Sequence, residues 1–487
     1  MSVKNKVSRR QFMRVAALGA GGIALAACGQ PQVVEKIVKE TVEVQKEVIK
    51  EVDKPVEVIK EVEKKVEVVV TATPAPEGPK TITVWGSGLD LTSIEKAPTG
   101  AGAAMVAHKT AFLAKNPGTT IVWEDHGWDE ALRQNVVTAL LAGTQPDVIV
   151  GENFFQQYAA LGALLPIDDS LKPSPAILEN SIVGTHKAAI YDGKHYGLSW
   201  LSGCFGFEAN PNVLKDAGLP EEIPATWDDM LIAAQTVSEK SKGEIGGYSL
   251  QGPLGFSVGG MFRLAVYMQQ LGSTLNKVDN PFMPNFDDEK GFPAWEFVRK
   301  ILPFTPKGLV FEADEGKVYS QLFAGKSAMQ MAGSWHVGWA KDSGLKNAIY
   351  GQVPVASGGK PASYVVGNVI YGAMAASKVP QLAIDWITTS QDATVQDIVF
   401  KSAGRLPSTK KSIELLLKDA GVDDATKKYA TLLRDSDLGI LPQWNKEPNK
   451  LNTIWNDLFT AVLTTTTPVP ALAGEAQKKA MAVIDAA

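Results

Sequence analysis

Histidine and cysteine, the residues that most often hold metals or act as nucleophiles, are scarce here: five and two in 487 residues. His108, His126, His186, His195 and His336 show no HExxH spacing, no CxxC pair exists, and no Gly-x-Ser-x-Gly elbow occurs. Adjacent carboxylates such as Asp168-Asp169 and Asp228-Asp229 read as turn and helix-start residues. They do not suggest the opposed pair, about 5–9.5 Å apart, that glycoside hydrolysis needs. These absences argue against an enzyme and call for no metal or other cofactor. Cys28 and Cys204 cannot make a disulfide framework. Cys204 sits in the apolar stretch Ser202-Gly203-Cys204-Phe205-Gly206 and reads as a small buried hydrophobe. The net charge of -5, with both signs interspersed, leaves no basic stripe for nucleic acid. With 45% hydrophobic and 21% charged residues the composition is that of a globular protein, long enough for two or three domains.

Long apolar runs are also missing. The stretch from Val15 to Ala27 has about 13 residues, against the roughly 20 that a spanning helix needs. It follows Ser8-Arg9-Arg10-Gln11-Phe12, so residues 1–27 read as a signal peptide whose paired arginines resemble the twin-arginine export pattern. Leu25-Ala26-Ala27-Cys28 resembles a bacterial lipobox, which implies that Cys28 carries a lipid and becomes the first mature residue. More than one acyl chain there gives stable anchoring, on the outer face of the cytoplasmic membrane.

Residues 33–70 have no aromatic side chain with which to build a core and consist largely of Val, Ile, Glu and Lys in imperfect repeats. Val52, Val56, Ile59, Val66 and Val69 hint at a helical apolar stripe. Valine is a mediocre helix former, however, and Pro55 interrupts the run. The segment reads as a solvated stalk, roughly 55 Å long if helical. The Pro-rich linker Thr71-Ala72-Thr73-Pro74-Ala75-Pro76 follows it. Residues 28–79 thus form a tether that keeps the folded part near a membrane partner.

From Lys80 the pattern changes. Thr81-Ile82-Thr83-Val84-Trp85, Thr120-Ile121-Val122-Trp123 and Asp147-Val148-Ile149-Val150 read as strands. Between them lie helical stretches at Met105 to Lys115 and Asp129 to Ala142; the second puts Leu132, Val136, Ala139 and Leu140 on one face and is followed by Gly143. The alternation predicts an α/β fold in which ligands collect beyond the carboxyl ends of the strands.

A series of segments in fixed order then resembles one family. They are Gly143-Thr144-Gln145-Pro146-Asp147-Val148-Ile149-Val150, Gly162-Ala163-Leu164-Leu165-Pro166, Tyr191-Asp192-Gly193-Lys194-His195-Tyr196-Gly197, Ala225-Thr226-Trp227-Asp228-Asp229, Phe323-Ala324-Gly325-Lys326-Ser327-Ala328-Met329 with Gly333-Ser334-Trp335, Ala383-Ile384-Asp385-Trp386-Ile387, and Gly404-Arg405-Leu406-Pro407-Ser408. Together they resemble the family 1 extracellular solute-binding proteins of ABC importers, the carbohydrate-binding group. The resemblance implies a two-lobed periplasmic-binding fold of type II, each lobe a mixed sheet flanked by helices, with the ligand cleft at the hinge. It places 80–204 and 370–405 in lobe 1, and 205–369 and 406–487 in lobe 2. Closure of the hinge would bury the ligand.

Candidate contacts follow. The loop Gly86-Ser87-Gly88-Leu89-Asp90 allows close backbone approach, and Asp90 could accept hydrogen bonds; an ordinary strand-to-helix turn is the alternative. After Val150, Glu152 and Asn153 offer acceptor and donor groups for hydroxyls, although Asn153 could instead cap a helix. Trp335, after Gly333-Ser334, stands where the resemblance implies an aromatic platform for a sugar face. Trp200 before the hinge and Trp444 in Leu441-Pro442-Gln443-Trp444-Asn445 are further platform candidates. Trp227, behind a Thr226 cap, reads as core. Asn368 stands where relatives carry a glycine, and Arg405 either receives an acidic ligand group or braces the hinge. The expected role is capture of a small solute, a sugar or oligosaccharide, by a lipid-anchored monomer that delivers it to importer permease subunits. A glycerol phosphodiester or another anionic solute, or service as co-receptor of a membrane sensor, is the alternative.

Overall fold

The computed structural model describes residues 80–86, 101–127, 129–152, 154–253, 259–312, 314–365, 368–401, 405–436, 438–440, 442, 444 and 446–486. The leader, Cys28, the stalk and linker, and the candidates Ser87, Asp90 and Asn153 lie outside the described residues. Contacts divide the chain at Thr73, and all that follows concerns the unit from Pro74 onward.

Its first sheet is built on β1 (Lys80–Gly86), β2 (Thr119–Asp125) and β3 (Val148–Gly151), with α1 (Ala101–Lys115), α2 (Asp129–Ala142) and α3 (Phe155–Ala160) between and after them. β1 pairs in parallel with both β2 and β3. Alternation sorts the side chains. Val148 and Val150 face a core with Ile82, Val84, Phe112 and Trp386, whereas Ile149 faces Trp85, Leu132, Val136 and Phe155. α2 ends as its sequence predicts: Gly143 takes φ +69°, and the Thr144 N–H closes back on the Ala139 carbonyl at 3.0 Å. A tight Asp192-Gly193 turn, both residues at positive φ, joins the short strands Ile190–Tyr191 and Lys194–His195.

β4 (Leu198–Ser202) and β5 (Phe205–Ala209) follow with only Gly203 and Cys204 between them, yet they belong to different sheets. β5 opens the second sheet, with α4 (Trp227–Lys240), β6 (Gly246–Tyr248), α5 (Gly259–Gln270), α6 (Phe292–Ile301), α7 (Glu315–Phe323), β7 (Ser327–Gly333), α8 (His336–Asp342) and β8 (Ile349–Gly351). Its order is β8-β5-β7-β6. Thr226 caps α4 by accepting from the Asp229 N–H at 3.1 Å, and Trp227 packs into the core against Phe297 at 4.6 Å, as the sequence predicts. One face of this sheet packs Phe207, Tyr248, Met329 and Met331 against α4, α5, α6 and the C-terminal helices α13 (Pro448–Thr464) and α14 (Val469–Asp485).

Before those helices the chain returns to the first sheet as β9 (Val369–Ala373), continues through α9 (Pro380–Thr389) and α10 (Ala393–Val399), and enters β10 (Leu406–Pro407). The first sheet is therefore β10-β4-β9-β3-β1-β2, with β9 antiparallel to β3 and β4. β10 pairs with β4 in this sheet, just past the expected boundary at 405. The chain then crosses again through α11 (Lys410–Lys418) and α12 (Asp424–Asp435). α12 packs Tyr429 beneath Gly206; a Cβ on Gly206 would come within 2.7 Å of the tyrosine ring.

Candidate functional site

Parallel strands present their carboxyl ends to one side, and in the first sheet that edge is polar. Trp85, at the end of β1, donates from Nε1 to Glu124 Oε2 at 2.7 Å. The His126 ring lies on Trp85 with centroids 3.7 Å apart and planes 19° apart, and its Nε2 is 3.1 Å from the same carboxylate oxygen. Trp85 is buried while Glu124 and His126 stay partly exposed, so a carboxylate and an imidazole are held open by a fixed ring. Glu152, just beyond β3, is 6% exposed, and its Oε1 accepts from the Asn368 N–H at 3.4 Å.

Asn368 belongs to the strands that cross between lobes. Its Nδ2 donates to the Thr185 carbonyl at 2.8 Å, and its Oδ1 accepts from the Ser199 and Ser202 hydroxyls. Both ends of this amide are engaged by protein and the residue is 1% exposed, so it braces the crossing strands instead of meeting solute. Two tryptophans expected at the cleft also stand elsewhere. Trp200 is in the first-sheet core, stacked on Tyr371 at 5.9 Å, with its carbonyl accepting from Gln396 Nε2. Trp444 is in the second-lobe core, edge-on to Phe286 at 5.5 Å. Each is at most 2% exposed and presents no open ring.

Trp335 differs. It follows the end of β7, where Gly333 pairs with Phe205 beside the crossing between β4 and β5. Its indole folds back over Gly333: a Cβ there would be 2.0 Å from Trp335 Cζ3. The residue is partly buried and meets Trp339 at 6.4 Å and 71°; Ser334 is buried. Arg263, 2% exposed, donates to Tyr319 Oη at 2.5 Å and lies over the Phe205 ring at 5.4 Å. Arg405 precedes β10 at the last crossing. Burial lowers its pKa, and among the described residues it has no hydrogen-bond or ion-pair partner. Cys204, in the first crossing, is fully buried and its thiol is pushed up to about 12 by desolvation. The lobes also touch where Arg133 Nη2 on α2 donates to Asn449 Oδ1 on α13 at 2.9 Å, and where Tyr191 meets Phe282 at 5.4 Å.

The structure thus gathers Trp335, Ser334 and Arg405 at the crossing segments, with Glu152 and Asn368 bonded to one another, and removes Trp200 and Trp444 to the cores. Sequence reasoning missed Trp85, Glu124 and His126. Glu124 and His126 follow directly on a predicted strand, so the carboxyl-end rule could have found them.

A family model of bacterial extracellular solute-binding proteins matches residues 96–397. Among curated relatives, a binding protein of Brucella abortus is 30% identical over 146 residues, which is 30% of this chain and 34% of the relative, so that match spans about a third of the relative's length. The diacetylchitobiose binding protein DasA of Streptomyces coelicolor is 25% identical over 365 residues, covering 72% of this chain and 80% of the relative. The crystal structure of a cyclic α-maltosyl-1,6-maltose binding protein from Arthrobacter globiformis superposes with a TM-score of 0.68 at 20% identity, covering 84% of this chain and all of that one. The shared architecture is the two-lobed periplasmic-binding fold, two mixed sheets joined by crossing strands with a cleft at the hinge.

Proposed function

The chain belongs to the bacterial extracellular solute-binding proteins, and from that premise we propose that it captures a sugar or oligosaccharide outside the cytoplasm and delivers it to the permease subunits of an ABC importer. The observation that carries the cargo class is Trp335, partly exposed at the carboxyl end of β7 and next to the crossing strands. A sugar has a C–H-rich face that packs on an indole, while its rim hydroxyls need both donors and acceptors. Glu124 and His126 supply such groups on the first sheet's edge. The relatives named for diacetylchitobiose and for maltosyl-maltose support the same class. In this reading the protein is a monomer tethered at Cys28 by lipid, works as a binder and not as a catalyst, and closes its hinge on the solute before docking.

The test is the melting temperature of the full chain against a panel of sugars, sugar phosphates and glycerol phosphodiesters. A ligand at 100 times its Kd adds about 2.7 kcal/mol to the folded state, a shift of a few degrees for lobes of this size. Trp335→Ala should weaken the sugar that shifts the wild type by about tenfold or more. Unchanged affinity would remove Trp335 from the site. A second reading rests on Arg405: a partly buried guanidinium with no hydrogen-bond or ion-pair partner among the described residues suits an acidic ligand group. A shift with sugar phosphates or phosphodiesters alone, abolished by Arg405→Gln, would favour that reading over a neutral sugar.

A further inference from the structure

Beneath Trp335 lies a polar cluster that solute contact does not explain. β5 is apolar except for Glu208, which is 0% exposed and pairs in register with Gln330 of β7. Gln330 Nε2 donates to Glu208 Oε2 at 2.8 Å, and His336 Nδ1 lies 3.1 Å from the same oxygen. His336 is also 0% exposed. Facing a carboxylate, Nδ1 is the nitrogen that carries the proton. Four aromatic rings surround the imidazole: Tyr319 at 4.0 Å and edge-on, Trp339 at 5.1 Å, Phe323 at 5.5 Å and Trp335 at 5.8 Å. Tyr350 of β8 and Tyr429 of α12 stand near Glu208, and burial raises the pKa of both, so both remain neutral hydroxyls beside the carboxylate. Arg263 of α5 is taken by Glu315 and Tyr319 of α7.

Burying a carboxylate and an imidazole is a poor way to gain stability, since two apolar side chains of similar volume often serve as well or better. What the pair supplies is direction. His336 is the first residue of α8, and Trp335 is its N-cap without a side-chain hydrogen bond. We propose that Glu208 and His336, with Gln330 holding the carboxylate, are a positioning pair that fixes the start of α8 and thereby the angle at which Trp335 meets the solute. The proposal rests on the solute-capture reading of the cleft.

Two variants of the full chain test it: Glu208→Leu/His336→Leu, which removes both polar partners together, and His336→Asn, whose amide N–H stands where Nδ1–H stood. Affinity for maltotriose, N,N′-diacetylchitobiose and mannobiose is read by calorimetry in a non-glycosidic detergent. Near-UV circular dichroism, taken as the difference from a Trp339→Phe chain so that the other tryptophans cancel, reports the Trp335–Trp339 pair, and a melting curve reports folding. The double variant should melt within a few degrees of wild type, bind about tenfold more weakly and lose the part of the dichroism that comes from this pair. His336→Asn should stay within about threefold of wild type and keep that spectrum. Wild-type affinity and an unchanged spectrum in the double variant would overturn the proposal while leaving sugar capture intact. Wild-type protein that takes neither these three sugars nor any other sugar of the melting panel would overturn the capture reading and this proposal with it. Should the double variant fail to fold, His336→Leu against His336→Asn reads the same contrast, and equal affinities there overturn it too.

Discussion

Gly333→Ala isolates the platform from the rest of the fold. The added methyl would lie 2.0 Å from Cζ3 and 2.2 Å from Cη2 of Trp335, where ordinary carbon contacts are near 3.5–4.0 Å. The indole must therefore move by about 1.5 Å or more. In a sealed core, such overpacking costs about 1–3 kcal/mol of stability. Trp335 is at an open edge, however, so its ring can swing toward solvent and the stability cost should sit near 1 kcal/mol. The larger loss then falls on binding. A buried tryptophan anchor is typically worth about 2 kcal/mol or more, which is about 30-fold in Kd. Calorimetry with the solute found by thermal shift, beside near-UV dichroism, measures both parts. Gly206→Ala is the matched control: its methyl would meet Tyr429 Cε1 at 2.7 Å in the core, so it should lower the melting temperature and leave affinity nearly alone. A Gly333→Ala protein whose dichroism shows a displaced indole but whose affinity equals wild type would refute the placement of solute against Trp335.

Other perturbations have equally definite outcomes. Asn368→Ala leaves the Thr185 carbonyl without its amide donor in a buried site, while the Ser199 hydroxyl keeps the Leu201 carbonyl, and should cost about 1–3 kcal/mol in urea unfolding. Burial pushes His108 down to about 4 and His186 down to about 3, so both stay neutral in the fold while the unfolded chain takes up protons near pH 6.5. Their contribution is thus intact above pH 6.5 and is lost as pH falls from there toward 4; His108→Gln, which can still donate to the Trp386 carbonyl, should flatten that fall in a melting series. Cys204, fully buried with its thiol raised to about 12, should resist thiol reagents at pH 8 in a Cys28→Ser chain until denaturant is added. Trp444→Phe should lower stability and leave solute affinity within about twofold, because its ring packs against Phe286 and not at the cleft edge.

Local patterns carried the architecture. Strand alternation around Ile82 and Val84, the single apolar face of α2, and the Thr226 cap were readable because each depends on neighbours in sequence. The cleft was less readable. β4 is buried along all five residues, since helices cover both faces of that sheet, so nothing about Trp200 in the sequence says that it lacks an open side. Asn368 looked available until its partners, Thr185 and Ser199, were brought to it from far along the chain. The Glu208–His336 pair is likewise separated in sequence and joined only by the pairing of β5 with β7; a lone acidic residue in an apolar strand was its one local sign.

The strand order of the first sheet has a consequence for how the protein is made. β4, second from the edge of that sheet, is flanked by β9 and β10, which emerge from the ribosome long after it. At the usual 5–20 residues per second, synthesis from Ser202 to Ala373 occupies roughly 9–34 s. Throughout that interval β4 has no partner on either side, and its apolar residues and free backbone edge are a template for wrong pairing. Neither sheet is therefore finished in passing: the strands β5, β6 and β7 can pair while the first sheet waits for β9 and β10, but the second core closes only when α13 and α14 arrive. A chain stopped short of β9 should be a substrate for chaperones and proteases, not half of a working protein.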